Sequence, residues 1–269
     1  MSAPKSLLLV GCGQMGSALL SRWQATPPAG ISKFYVVEPG TSTPHQASTH
    51  VVTQLSELDA SLQLDVVVLA VKPQSLEAVL PAYRDRFGAK PLYLSIAAGK
   101  TLSFFAKHLG EQAQVVRAMP NTPAMIGKGM SVLCASQTLP ASARHIATGL
   151  MQAVGEVEWV EEEKLMHAVT ALSGSGPAYM FLFLDALTKA GIAAGLDAKL
   201  AKKLSIETCI GSCELAQHSL DSFEQLRSRV TSKGGTTEAA LAVLLEGEGF
   251  NRLIASAIKA AAQRSEELN

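Results

Sequence analysis

The most informative stretch of the sequence runs from Leu7 to Gly16 and reads Leu-Leu-Leu-Val-Gly-Cys-Gly-Gln-Met-Gly. The four apolar residues predict a buried strand, and a helical pattern, Met15–Gln24, follows the glycines. In such a turn the first glycine permits a sharp bend, the second leaves the backbone open to a ligand, and the third lets the helix pack closely on the strand. The stretch therefore predicts a strand, a tight turn and a helix whose N-terminus is ready to bind an anion.

This G-x-G-x-x-G turn, Gly11–Gly16, indicates dinucleotide binding because it lies between a strand and a helix. The alternative is a purely structural turn in another α/β protein. Glu38 follows Gly16 by 22 residues, where a carboxylate can accept hydrogen bonds from the adenosine ribose hydroxyls. Its charge favours NAD(H) over NADP(H). No arginine follows that could bind a 2′-phosphate. However, the stretch 40–43 (Gly-Thr-Ser-Thr) offers other hydrogen-bond donors to such a phosphate, so both NAD(H) and NADP(H) stay open.

Strand and helix patterns alternate up to about residue 160, and only helical patterns follow. This alternation predicts a Rossmann-type, doubly wound parallel sheet, and the change in pattern predicts a dinucleotide-binding domain at 1–162 and an all-helical domain at 163–269. The predicted strands are Ser6–Val10, Phe34–Val37, Asp65–Val71, Pro91–Ala97, Val115–Ala118, Met130–Ala135 and Val157–Val160. The predicted later helices are Glu163–Ala171, Pro177–Ala194, Ala198–His218, Ser222–Val230, Thr237–Glu246 and Gly249–Glu267.

Composition narrows the possible partners and the setting. The chain has 269 residues with 23 basic and 23 acidic side chains, and this balance argues against nucleic acid as a main partner. Four cysteines match no zinc spacing and suggest no disulfide framework, so we expect no metal and a reducing cytoplasm. We also expect no signal peptide and no membrane span, since the most apolar long segment, Ala178–Leu196, contains Asp185 and Lys189.

Three further turns follow predicted strands, at the edge where open α/β sheets bind ligands. Ala70-Val71-Lys72-Pro73 and Ser95-Ile96-Ala97-Ala98-Gly99 are built mostly of small residues that leave room for a cofactor. Lys72 either reaches the cofactor or stays in solvent. The third turn, Arg117–Pro123, places Asn121 between two prolines. This stiff polar loop is a candidate for contacting the nicotinamide or the substrate, or else it is an ordinary turn.

Two turns rich in serine, threonine and glycine precede helices in the second half, at Ser173–Tyr179 and Val230–Thr237. Hydroxyls and open backbone N–H groups at a helix N-terminus suit the capture of a carboxylate, although simple capping is the alternative. No nucleophile motif with a histidine partner accompanies them. A substrate that is already electrophilic, such as a protonated imine, needs binding and orientation more than acid–base groups.

Together these motifs resemble the Δ1-pyrroline-5-carboxylate reductases, in order and spacing over essentially the whole chain. The blocks that carry the resemblance are GCGQMG at 11–16, AVKPQ at 70–74, SIAAG at 95–99, RAMPNTP at 117–123, LSGSGPAY at 172–179 and VTSKGGTTEAAL at 230–241. The resemblance implies hydride transfer from NADPH or NADH to the C=N bond of 1-pyrroline-5-carboxylate, which gives L-proline in the last step of proline biosynthesis.

The resemblance also implies which residues form the sites. Cofactor contacts are expected at 10–15, 70–73 and 96–98, that is Val10, Gly11, Cys12, Gly13, Gln14, Met15, Ala70, Val71, Lys72, Pro73, Ile96, Ala97 and Ala98. Substrate contacts are expected at Ser232, Gly235, Thr236 and Thr237, with the Thr237 hydroxyl near the ring nitrogen as the catalytic group, and at Glu163. An intertwined helical homodimer, often assembled into a larger ring, is implied as well.

The chain departs from the family pattern at two positions. Lys233 stands where many members have proline, and we expect little effect there. Glu38 stands where NADPH-preferring members have serine, which puts the usual cofactor preference in question. Two alternative functions are a β-hydroxyacid dehydrogenase and a non-catalytic dinucleotide sensor. The first expects a lysine a few residues into the first long helix after a glycine-rich turn, where this chain has none before Lys189.

Overall fold

The computed structural model describes residues 5–28, 30–40 and 49–268. Within them the first half of the chain forms a sheet of eight strands in the order β3-β2-β1-β4-β5-β6-β7-β8. The strands are β1 Lys5–Val10, β2 Ile31–Val37, β3 Thr49–Val52, β4 Val66–Leu69, β5 Leu92–Ser95, β6 Gln114–Met119, β7 Gly129–Ala135 and β8 Gly155–Trp159.

The central strands are buried on both faces, which explains why they are almost continuously apolar. Along β1, Leu7 and Leu9 face one apolar cluster while Leu8 and Val10 face another. All four residues of β4 are fully buried. A parallel strand covered on both sides has no polar face, so the runs seen in the sequence belong to this layer of the fold.

The predicted doubly wound sheet is confirmed, and it is parallel except at the pair of β6 and β7. The strands β1 to β6 pair in parallel, β7 pairs antiparallel with β6, and β8 pairs in parallel with β7. Only nine residues, 120–128, separate β6 from β7, and this connection is too short for a crossover to a parallel neighbour. The last two strands therefore run opposite to the other six.

Helices alternate with the strands as predicted, but one strand was missed. The helices of this part are α1 Gln14–Ala25, α2 Leu76–Phe87, α3 Leu102–Leu109 and α4 Ala141–Gln152. The missed strand is β3, Thr49–Val52, which pairs with β2 at the sheet edge. It has only four residues, two of them polar, so it lacks the apolar run that marks the inner strands.

Among the described residues after β8, all regular structure is helical. The helices are α5 Leu165–Val169, α6 Gly176–Ala193, α7 Ala198–Gln217, α8 Phe223–Arg229, α9 Thr236–Leu245 and α10 Gly249–Glu267. A π-helical turn, Thr170–Gly174, continues α5, and the Ser175 N–H donates to the Thr170 carbonyl at 2.8 Å. Ser173–Ser175 is therefore part of a helical turn, and the expected open helix N-terminus at this place was wrong.

The chain packs as two units whose division differs from the one expected at residue 162. One unit contains residues 1–175 and 261–269, and the other contains 176–260. In the second unit, α6 and α9 contain no buried residue, and large apolar side chains such as Phe181 and Leu182 are 65% and 69% exposed. Exposed apolar surface of this extent is typical of a surface that contacts another protein.

Candidate active site

The carboxyl ends of four neighbouring strands meet at one edge of the sheet. Val10 at the end of β1 is in register with Val37 of β2 and with Leu69 of β4, and Leu69 is in register with Ser95 of β5. The turns that follow these strands contain most of the residues predicted to contact a dinucleotide. The structure thus brings together Gly11–Met15, Glu38, 70–73 and 96–98 along this edge, where open α/β sheets bind ligands.

The glycines of the first turn have three distinct surroundings. A Cβ on Gly11, whose φ is +86°, would lie 2.9 Å from Val71 Cγ1 and 3.0 Å from the Ala70 carbonyl. A Cβ on Gly16 would lie 2.6 Å from the Gly11 oxygen, so helix α1 packs directly on the turn. A Cβ on Gly13 would meet nothing within 4 Å, and Gly13 is exposed. Only Gly13 leaves open space, as a bound pyrophosphate requires.

Helix α1 begins just after this open position and presents its N-terminus to it. Its capping residue is Gly13, no side chain caps the helix there, and the first turn contains no acidic residue. The first N–H groups of a helix lack intrahelical acceptors and carry a partial positive charge. The cradle at Gly13–Met15 thus suits the negative phosphates of a dinucleotide.

Glu38 joins the glycine turn to the end of β2. One carboxylate oxygen accepts the Cys12 N–H at 2.5 Å, and the other accepts the Gly40 N–H at 2.9 Å. The carboxylate is therefore held at the turn and half-buried. Residues 41–43, whose hydroxyls were considered for holding a 2′-phosphate, lie outside the described residues.

The next two turns are anchored by backbone hydrogen bonds to the strands beside them. The Ala70 N–H donates to the Val10 carbonyl at 2.8 Å, and the Ile96 N–H donates to the Leu69 carbonyl at 3.1 Å. Lys72 is exposed and directly precedes a short helical turn, Pro73–Ser75, in which proline takes the first position. Gly99, with φ +76°, is closely approached by Leu268, whose oxygen would lie 3.0 Å from a Cβ there. No local pattern in the sequence predicts this contact with the residue that follows α10.

Asn121 follows β6 and uses its side chain to tie two segments together. Its Oδ1 accepts the Met130 N–H at 2.9 Å, and its Nδ2 donates to the Ser173 carbonyl at 3.2 Å. These bonds fix the loop after β6 against β7 and against the π-helical turn. A cofactor contact by Asn121 stays a prediction, and the described bonds assign its amide a structural role.

Glu163 forms an ion pair with Arg117, a buried side chain of β6. Arg117 Nη1 lies 2.6 Å from Glu163 Oε1, and the same oxygen accepts the Leu102 N–H at 2.6 Å. The neighbouring Cys134 thiol is fully buried; burial, with a smaller contribution from the Glu163 carboxylate, raises its pKa. The pairing of Arg117 was not predicted from the sequence, although an arginine within the apolar strand Val115–Ala118 indicates a nearby acidic partner.

The turn before α9 gathers the predicted substrate residues of the second unit. Gly234 has φ +72°, and its N–H donates to Glu238 Oε2 at 2.7 Å. Gly235 is the capping residue of α9, and no side chain caps the helix there. A Cβ on Gly235 would lie 2.4 Å from Ser232 Oγ, so a larger residue there would displace the Ser232 hydroxyl. Thr236 is exposed and Thr237 half-buried at the helix N-terminus, where open N–H groups suit a carboxylate.

Metal-binding clusters and membrane-spanning helices are both absent from the described residues. No group of three or more His, Cys, Asp or Glu side chains there is placed to hold a metal ion. None of the helices in this part of the chain is both long enough and apolar enough to cross a membrane.

A Rossmann-type sheet with an open glycine turn defines the class of dinucleotide-dependent oxidoreductases. A family model described as "NADP oxidoreductase coenzyme F420-dependent" matches residues 6–99, and one described as "Pyrroline-5-carboxylate reductase dimerisation" matches residues 163–268. The curated pyrroline-5-carboxylate reductase of Pseudomonas aeruginosa is 39% identical, and the alignment covers 100% of this chain and 98% of that protein. The chain belongs to the pyrroline-5-carboxylate reductase family.

Solved structures agree with this assignment. A pyrroline-5-carboxylate reductase from Coxiella burnetii superimposes with a TM-score of 0.86 at 34% identity, covering 98% of both chains. The pyrroline carboxylate reductase of Plasmodium falciparum, solved with NADP bound, gives a TM-score of 0.87 at 28% identity, again covering 98% of both. Prephenate dehydrogenase from A. aeolicus, at 15% identity and a TM-score of 0.55, shares the fold alone.

Proposed function

We propose that this chain reduces 1-pyrroline-5-carboxylate to L-proline with a hydride from a nicotinamide dinucleotide. The observation that carries the proposal is that this member of the family contains both an open glycine turn at 11–16, in one unit, and an open helix N-terminus at 235–237, in the other. The first suits a pyrophosphate and the second a carboxylate. A cyclic imino acid and a dinucleotide supply these two groups.

The dinucleotide fits the carboxyl edge of the sheet. The space at Gly13 and the N–H groups that begin α1 would hold the pyrophosphate, and the small residues at 70–71 and 96–98 leave room along the edge. When bound, the reduced nicotinamide supplies the hydride for the C=N carbon. The residues of the edge bind and orient it, which is what a protein contributes to such chemistry.

The substrate would be held by the turn before α9. Ser232, Gly235 and Thr236 present hydroxyl and N–H donors to its carboxylate, and the dipole of α9 adds to the attraction. The Thr237 hydroxyl would form a hydrogen bond with the ring nitrogen and fix the orientation of the imine. No general base is needed, because a protonated imine is already electrophilic. Contact with Glu163 also stays a prediction, since its described partners are Arg117 and the Leu102 N–H.

The cofactor preference depends on Glu38. Its carboxylate lies beside Cys12, at the part of the edge where the adenosine ribose is expected, and a second negative charge from a 2′-phosphate would be repelled there. We therefore propose that NADH is used more readily than in family members with serine at this position, with NADPH as the alternative donor.

The helical unit would complete itself by dimerisation. Two observations support a homodimer: the exposed apolar surface of α6, and the match of residues 163–268 to the family model of the reductase dimerisation domain. We propose that residues 163–269 act as the substrate-binding and dimerisation region and that dimers assemble further into a ring. A cytoplasmic location stays a prediction.

The test is an absorbance assay at 340 nm with pyrroline-5-carboxylate and either NADH or NADPH. Imine-dependent oxidation is expected with at least one of them. A β-hydroxyacid dehydrogenase would instead reduce NAD⁺ with a hydroxyacid. A dinucleotide sensor would bind the cofactor and oxidise none.

A further inference from the structure

We propose that Glu163 is a positioning residue for the cofactor, acting on the turn Ile96–Ala98 through the start of α3. The inference rests on the proposed function, which assigns this turn to the dinucleotide. It concerns contacts within a single unit of the structure.

The segment between β5 and α3 is anchored at both of its ends. At the first end, the Ile96 N–H donates to the Leu69 carbonyl at 3.1 Å, and the Ala97 N–H donates to Ser95 Oγ at 3.3 Å. At the second end, the Leu102 N–H donates to Glu163 Oε1 at 2.6 Å. Hydrogen bonds thus hold the segment that contains the turn Ile96–Ala98 at β5 on one side and at the Glu163 carboxylate on the other.

The Glu163 carboxylate is itself fixed by a buried cation. Only 7% of the Arg117 side chain is exposed, and its Nη1 lies 2.6 Å from Glu163 Oε1. Arg117 pairs in register with Ser95 on β5, so the two side chains lie next to each other on one face of the sheet. Arg117 therefore links the Glu163 carboxylate to the strand from which the cofactor turn departs.

Removal of the Glu163 carboxylate would release the second anchor and leave helix α3 capped. Thr101 Oγ1 accepts the Phe104 N–H at 3.1 Å, and this cap does not involve Glu163. The Leu102 N–H would lose its acceptor and Arg117 its ion-pair partner, and both groups would reorganise beside Ile96–Ala98. The expected consequence is weaker dinucleotide binding.

The family resemblance gives a different role, in which Glu163 contacts the substrate. The two roles differ in the ligand whose affinity changes. A positioning residue for the cofactor turn changes the Kd of the dinucleotide, measured with no imine present. A substrate contact changes the KM of the imine and leaves that Kd alone.

The experiment compares Glu163→Ala with wild type, using the fluorescence of NADH and NADPH to measure Kd and steady-state kinetics to measure the imine KM. We expect the dinucleotide Kd to rise roughly tenfold, as for the loss of a charge-assisted hydrogen bond, with the imine KM unchanged. Glu163→Gln, which keeps an oxygen acceptor for the Leu102 N–H, should restore most of the affinity. If Glu163→Ala does not fold, Glu163→Asp, which retracts the carboxylate by one methylene, should show the same split.

The matched control is Glu162→Ala. Glu162 is the neighbouring acid, is 61% exposed and pairs only with Lys164 among its described contacts. Glu162→Ala should leave both the dinucleotide Kd and the imine KM unchanged. A raised imine KM with an unchanged dinucleotide Kd in Glu163→Ala would overturn the inference. Failure of the proposed function is separate, because wild type would then oxidise no cofactor with the imine, whatever its dinucleotide Kd.

Discussion

At the scale of single residues, Glu38 carries a charge at the place where NAD and NADP differ. Replacing it by serine removes the repulsion of a 2′-phosphate and supplies a hydroxyl donor. We expect Glu38→Ser to raise the ratio of kcat/KM with NADPH to kcat/KM with NADH. Paired initial-rate kinetics with the two cofactors measure this ratio.

Glu38→Gln is the control for the structural bonds of this side chain. It removes the charge and keeps an oxygen acceptor for the Cys12 N–H, although its amide nitrogen cannot accept the Gly40 N–H as the second carboxylate oxygen does. If charge sets the preference, this variant should shift the ratio in the same direction. An unchanged ratio in both variants would remove Glu38 from cofactor selection.

Thr237 is the residue whose hydroxyl is proposed to bond the imine nitrogen. Thr237→Ala should lower kcat/KM for pyrroline-5-carboxylate by about 1–3 kcal/mol of transition-state stabilisation, the cost of one buried hydrogen bond. The control is Thr231→Ala, because the Thr231 hydroxyl already donates to the Arg227 carbonyl at 2.7 Å. Equal effects of the two substitutions would argue against a substrate contact by Thr237.

At the scale of elements, two glycines of the turn between β1 and α1 have different roles. Gly11 is expected to affect the stability of the fold, and Gly13 is expected to affect cofactor binding. Gly11→Ala places a Cβ at φ +86° against Val71 and Ala70, and overpacking of this kind costs about 1–3 kcal/mol. Gly13→Ala places a Cβ in open space, so the fold should be unaffected, but the cofactor loses its closest approach.

These two alanine variants form a matched pair. Thermal unfolding should show a lower Tm for Gly11→Ala and an unchanged Tm for Gly13→Ala. The dinucleotide Kd of Gly13→Ala should rise by about tenfold or more, which corresponds to about 1.4 kcal/mol. Wild-type affinity in Gly13→Ala would show that the pyrophosphate does not lie over this residue.

The elements show what a sequence can predict and why. The strands β1, β4 and β5 and the turns after them were predicted because apolar runs and glycine spacing are local signals. The reversal of β7 and β8 was not, since strand direction depends on a connection of a few residues and not on the apolar pattern. Ser173–Ser175 was misjudged because serine and glycine suit a helix N-terminus and a π-helical turn alike.

The candidate site was predicted unevenly for the same reason. The residues of the sheet edge follow strands and could be found one turn at a time. The link from Arg117 to Glu163 joins residues 46 positions apart in sequence, and only the folded chain shows that the Arg117 guanidinium and the Leu102 N–H donate to the same Glu163 oxygen. Long-range polar pairs have no periodic signature.

At the scale of the whole molecule, the exposed apolar surface of the helical unit predicts association. Leu182 on α6 is 69% exposed, and a charge there should oppose burial against a second copy. Leu182→Glu should shift the protein toward monomer in sedimentation velocity. Arg84→Glu, an exposed change on α2, is the control and should not. A wild-type monomer at micromolar concentration would contradict the proposed dimer.

The most direct test of the proposed reaction follows the hydride itself. The enzyme is incubated with pyrroline-5-carboxylate and NADH or NADPH deuterated at the transferring position of the nicotinamide, and the product is examined by mass spectrometry. The proposal predicts proline carrying one deuterium at the former imine carbon, formed one for one with oxidised cofactor. Unlabelled proline, or no imine-dependent oxidation with either cofactor, would contradict it.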